Sequence, residues 1–187
     1  SEYDDKQESI LIPVNLANVA TVIRNAASME MTGAELELMY QVTEAWDLMV
    51  TYGYLEAEYK DYLADLTGDG IITDNSGLIP RNTPENTFGL TTSYTTQIGQ
   101  GELKGRISYR FRDEMNTDSS NNPYGDLDSI ENVNATINYS FSDYSITLWG
   151  RNLTDEREQR WATIGGLTSR GWWNEPQTLG ITFAASF

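Results

Sequence analysis

In LKGRISYRFR (Leu103 to Arg112) the cations Lys104, Arg106, Arg110 and Arg112 fall on one side of an alternating pattern. Leu103, Ile107, Tyr109 and Phe111 fall on the other. Such a row can pair with carboxylates or guide anionic ligands. Glu35 and Glu37 also lie two apart on one face, a spacing that suits no acid/base pair across a substrate. The chain has no His and no Cys, which removes Ser-His and Cys-His nucleophiles, thiolate chemistry and the usual zinc sites. The stretch DLTGDGIITD sets Asp65, Asp69 and Asp74 around a Gly turn, a weak calcium candidate whose twelfth position is Ser76 rather than a bidentate Glu. Arg157, Arg160, Trp161, Arg170, Trp172 and Trp173 share one long connection and suit either gripping an aromatic or anionic ligand or packing that loop. Each set also has a plain reading: a solvated or ion-paired wall for the cations and Glu35 with Glu37, a solvated loop for the aspartates, and loop packing for the Arg and Trp residues. No enzyme and no cofactor is expected.

The elements that hold them are strands, because apolar, β-branched and aromatic residues recur at period two. Trp46, Leu48, Val50, Tyr52 and Tyr54 oppose Asp47, Met49, Thr51 and Gly53; Val133, Ala135, Ile137, Tyr139 and Phe141 oppose Asn and Thr or Ser positions. Eight strands are expected, at about 3–13, 18–42, 46–59, 86–98, 102–113, 131–141, 144–153 and 177–187. Gly33 marks a bulge or bend. Short connections near Thr43–Ala45, Ile98–Gly101 and Ser142–Asp143 alternate with long polar ones over 60–82, 113–128 and 155–174. Strands of ~9–11 residues joined in this way describe an outer-membrane β-barrel. A soluble sandwich or lipocalin-like barrel shares the alternation, with core replacing lipid.

A net charge of −16 argues against nucleic acid, whose binders cluster Lys and Arg. Mean hydropathy of −0.47 reads as soluble, but transmembrane strands average out to polar. Ser1-Glu-Tyr-Asp-Asp has no basic or apolar leader, so the chain reads as mature or as a fragment. Leu179, Ile181, Phe183 and Phe187 alternate through LGITFAASF, an end able to pair by strand addition.

Five stretches resemble the C-terminal half of TonB-dependent outer-membrane receptors. RNAASMEMTGAELELMY (Arg24 to Tyr40) is similar to that family's Asn-Ala…Gly-x-Glu strand, and TYGYLEAEYKDY to the next one. NTPENTFGLTTSY resembles its Pro-x-x-Thr strand start, GRNLTDE its Asn-Leu-Thr-Asp motif, and RGWWNEPQTLGITFAASF its closing strand. The resemblance implies an all-β antiparallel segment of a ~22-stranded barrel, with 1–187 as its C-terminal portion and the plug domain and earlier strands absent. It implies TonB-driven uptake of a scarce nutrient, with a ferric siderophore as the default. The implied partners are outer-membrane lipid, the plug and upstream strands, TonB, a small-molecule ligand, and the barrel-assembly machinery reading Leu179, Ile181, Phe183 and Phe187. The alternative is a complete eight-stranded outer-membrane barrel with a structural or adhesive role, Lys104–Arg112 facing Glu35 and Glu37 across a narrow lumen.

Overall fold

The computed structural model describes residues 2–15, 18–67, 69–165 and 168–186, with side chains described for 28–67, 69–159 and 171–186. The strands are β1 (Glu2–Asn15), β2 (Asn18–Thr43), β3 (Trp46–Ala64), the short β4 (Thr73–Asp74), β5 (Asn86–Ile98) and β6 (Gly101–Arg112). They continue with the short β7 (Met115–Asn116) and β8 (Asp126–Leu127), then β9 (Ile130–Phe141), β10 (Tyr144–Arg151), β11 (Gln159–Gly165), β12 (Thr168–Trp173) and β13 (Thr178–Ala185). The main sheet is an antiparallel meander, β1-β2-β3-β5-β6-β9-β10-β13. Eight long strands therefore lie where the alternation puts them.

Register fixes the two faces. One rung reads Tyr40, Leu48, Thr92, Ile107, Ala135, Gly150 and Leu179; another reads Trp46, Tyr94, Gly105, Ile137, Leu148 and Ile181. These apolar residues are left in the open: Ile107 is 52% exposed, Ile137 51% and Ile181 74%. The buried apolar residues among those described, Met29, Tyr59, Tyr62, Ala64 and Leu127, all sit at the long-connection end. Among the described residues no core lies on the apolar face. An exposed band of this extent needs a nonaqueous neighbour.

β1 and β13 end the sheet and are not neighbours, so the strands form an open slice and not a closed eight-strand ring. β1 forms where expected but does not cross the layer beside the other strands: it pairs from Glu2↔Glu30 to Asn15↔Asn18, entirely on the outer part of β2. From Thr43 to Glu30 is about 43 Å of strand, or about 30 Å of height at ~45° tilt, the thickness of a hydrocarbon layer. The described length of β1 thus stands beyond the band that the other seven strands build. At that level Lys60 pairs with Glu30 (2.9 Å) and Glu58, which raises its pKa, while Lys60 lowers that of Glu30.

Gly33 makes no bulge, since register runs unbroken from Met29 to Gln41. A Cβ there would come 2.6 Å from the Tyr54 carbonyl oxygen, so glycine permits close strand approach. Gly33→Val is expected to cost about 1–3 kcal/mol through forced strand displacement. The urea midpoint of the refolded full-length receptor reads it, and an unshifted midpoint would refute the close-approach account.

Candidate functional site

The polar face of the sheet lines an open recess of about 1180 Å³. Two rungs cross it. Glu35, Gly53, Thr87 and Arg112 share one, while Glu37, Thr51, Gly89, Arg110 and Asn132 share the next. Acids on β2 therefore face cations on β6 across a floor of Gly and Thr. Lys104 and Arg106 follow on the same face of β6 by unbroken alternation, paired with Thr95 and Ser93.

Arg112 ties the mouth of the recess together. Its guanidinium donates to the carbonyls of Asp113 (2.9 Å) and Asp128 (3.1 Å), which bracket the 113–129 connection. It also forms an ion pair with Glu158, at side-chain exposures of 19% and 13%. The carboxylate of Asp113 accepts from Asn86 (2.7 Å), whose amide oxygen accepts from the Tyr52 hydroxyl (2.7 Å). Glu158 belongs to the 152–177 connection, so one guanidinium joins two loops.

The Asn-Leu-Thr-Asp motif closes the other side. Asn152 is 3% exposed and adopts φ +49°, a left-handed conformation that Asn tolerates better than most residues. Its amide donates to the carbonyls of Glu156 and Glu175, both at 2.9 Å. Its oxygen accepts from Asn132, Thr154 and the Glu156 N–H, each at 3.2 Å. The Thr154 hydroxyl donates to the Glu131 carbonyl (3.0 Å), and Asp155 accepts from the Gln177 N–H (3.3 Å). The motif is thus a polar knot that pins both ends of a long loop to β9.

Trp149 lies on the polar face of β10. Its indole donates to the Thr182 hydroxyl (3.2 Å) and carries the Arg151 guanidinium 5.3 Å from its ring centre. Gly180, opposite on β13, leaves the room in which the ring lies flat, since a Cβ would strike it.

The other expected site residues are distributed as follows. Asp65 accepts from Thr67 and Gly70, Asp69 from Ile71, and Asp74 from Ser76. The backbone N–H and hydroxyl of Ser76 hold the Asp74 carboxyl below its usual range. Each carboxylate thus serves its own turn, and among the described residues no three acidic side chains gather for a metal. The 152–177 connection, expected to be plain loop, contains the hairpin β11–β12, which pairs Trp161 with Trp172 and Thr163 with Arg170. The side chains of Arg160, Trp161 and Arg170 lie outside the described residues, as does Phe187. Arg157 is exposed, as are Trp172 (74%) and Trp173 (63%). Leu179, Ile181 and Phe183 form an exposed apolar column on β13. Sequence reasoning passed over Trp149, Arg151 and Glu158; the one available signal was an indole breaking the Ser145, Thr147 polar row.

Residues 1–153 match the family model described as TonB dependent receptor-like, beta-barrel. The chain is similar in structure to the ferric yersiniabactin uptake receptor FyuA of Yersinia pestis, with TM-score 0.75 and 18% identity over 89% of this chain and 25% of that one. It also resembles the ferric preacinetobactin receptor BauA of Acinetobacter baumannii, with TM-score 0.65 and 20% identity over 97% and 26%. The ferric-catecholate import receptor Fiu of K12 E. coli matches with TM-score 0.68 and 19% identity over 100% and 24%. The chain spans about a quarter of the length of these receptors. It belongs to the TonB-dependent receptor β-barrel family, outer-membrane proteins that transport rather than catalyse.

Proposed function

We propose that this chain is the C-terminal part of the barrel wall of a receptor that takes up a ferric siderophore with energy from TonB. The observation that carries this reading is the open, two-faced sheet: a bare apolar band on one side and a charged recess on the other, with both outer edges unpaired to neighbouring strands. In this arrangement lipid covers the band, further strands continue the wall, and a plug fills the recess. The plug domain and earlier strands belong to the rest of the receptor, as does the segment that engages TonB. The long connections, with Arg157, Arg160, Trp161, Arg170, Trp172 and Trp173, face outward and take the ligand. The column Leu179, Ile181, Phe183 and Phe187 is read by the barrel-assembly machinery. Support for an iron chelate comes from the solved relatives, which are receptors for ferric yersiniabactin, ferric preacinetobactin and ferric catecholate.

The test is radiolabelled iron uptake by cells that produce the full-length receptor, supplied with one purified ferric siderophore at a time. The expected result is accumulation that vanishes in a TonB-deficient strain. Uptake of cobalamin or a glycan in place of every iron chelate would overturn the substrate assignment and leave the transporter reading intact.

A further inference from the structure

We infer that the connections 65–85 and 113–129 are one cooperative unit, a stiff rim that opens as a whole or not at all. Each is first fastened locally. Thr73 and Asp74 of β4 pair with Ala64 and Leu63 at the end of β3. Asn75 donates to the Tyr62 carbonyl from its backbone N–H (2.7 Å) and from its side-chain amide (3.3 Å). In the second connection the Thr117 N–H donates to the Gly125 carbonyl (2.8 Å), and the Asn116 amide to the Asn122 carbonyl (3.1 Å). Asn122 in turn caps the short helical turn Pro123–Gly125.

The joint between them is Asn121, 42 residues from Ile79 in the chain. Its side-chain oxygen accepts from the Ile79 N–H (2.7 Å), and its amide donates to the Ile79 carbonyl (2.8 Å). A primary amide carries the donor and acceptor of a peptide group, so Asn121 answers Ile79 as a neighbouring strand would. It does so at φ +50°, a conformation that asparagine tolerates. A second bond runs from the Asn82 N–H to the Asn116 carbonyl (2.8 Å). Beneath lies a shared core. Tyr62 is wholly buried, its ring centre is 4.6 Å from that of Tyr59, and its hydroxyl lies 3.5 Å from the Ser119 carbonyl. Leu66 and Leu78 pack against this cluster, while Asn116, Thr117 and Ser119 are each less than a tenth exposed. Lifting either connection therefore unpairs shielded groups of the other, which is the condition for opening together. All of these partners belong to this chain, so the joint does not depend on what surrounds it in the full receptor. Order is complete before anything touches the rim, so contact there costs little further conformational entropy.

Asn121→Gly in the full-length receptor removes the joint and keeps the left-handed backbone. Trypsin is then expected to cut after Arg81, in the other connection, about tenfold faster, because two hydrogen bonds no longer oppose local opening. Cleavage at Arg157, which the Asn152 bonds hold in a third connection, stays within about twofold. Coupling of this kind is reciprocal. Asn75→Ala, which loosens 65–85 from β3, should speed hydrogen exchange at the Thr117 and Gly125 amides by a like factor. In the unaltered receptor the amides of Ile79, Asn82 and Thr117 should exchange with one common opening constant. Unchanged cleavage at Arg81 in Asn121→Gly would overturn the unit, as would an Asn75→Ala effect confined to its own connection. An equal rise at Arg157, the mark of general loosening, or widely different opening constants in the unaltered receptor would do the same. No transported ligand enters these measurements, so they succeed or fail apart from iron uptake.

Discussion

Asn152→Ala will free the 152–177 connection from the barrel, and trypsin will cut at Arg157 about a hundredfold faster in the folded receptor. The side chain satisfies the carbonyls of Glu156 and Glu175 and the N–H of Glu156 in a nearly dry setting. The three bonds are part-buried and water reaches the exposed Glu156 and Glu175, so their loss together costs about 2 kcal/mol. Alanine at φ +49° adds about 1 kcal/mol of backbone strain. That free energy is lost from local loop opening, which sets the cleavage rate when reclosing is fast. Asn152→Asp separates the causes, since it keeps the acceptor and much of the left-handed tolerance but loses both donated bonds. Asn152→Gly relieves the backbone alone and should rescue little. A cleavage rate unchanged in Asn152→Ala would remove the knot from the account.

Arg112→Met has the second largest expected effect, about 2–4 kcal/mol. It strips Glu158 of its counter-charge at 13% exposure and leaves the Asp113 and Asp128 carbonyls without their donor. Removing one member of a shielded ion pair costs more than the pair is worth, because the survivor stays desolvated. The double variant R112M/E158L should therefore be more stable than R112M alone, by about 1–2 kcal/mol. Glu158→Gln should be milder than either, since its amide oxygen still accepts from the guanidinium. Urea unfolding of the unaltered receptor, R112M, E158L and R112M/E158L closes the cycle, and strict additivity of the two single changes would show that the residues do not interact.

Both residues show what sequence makes visible. The long strands were legible because their alternation is uninterrupted: nothing between Leu103 and Arg112 breaks the two-faced pattern, and the same holds from Val133 to Phe141. The cation row and Glu35 with Glu37 show in the same alternation; Glu35, Glu37, Arg110 and Arg112 line the recess, while Lys104 and Arg106 lie farther along β6. The two-residue strands β4, β7 and β8 are too short to have a period. The hairpin β11–β12 was hidden because its Arg and Trp residues look like a loop that binds something. Arg112 and Glu158 are 46 residues apart with a long connection between them, and no spacing rule links such positions. The Asn-Leu-Thr-Asp motif was recognisable as a resemblance, but its role as a knot depends on carbonyls at Glu156 and Glu175 whose sequence is indifferent.

The bare apolar band has a last consequence. Water-soluble domains condense around oil held within; this wall has its oil on the outside and almost none to gather around until acyl chains arrive. Acquiring tertiary shape and entering the bilayer must then be one event, and in plain buffer the same strands would be driven to bury their greasy sides against one another.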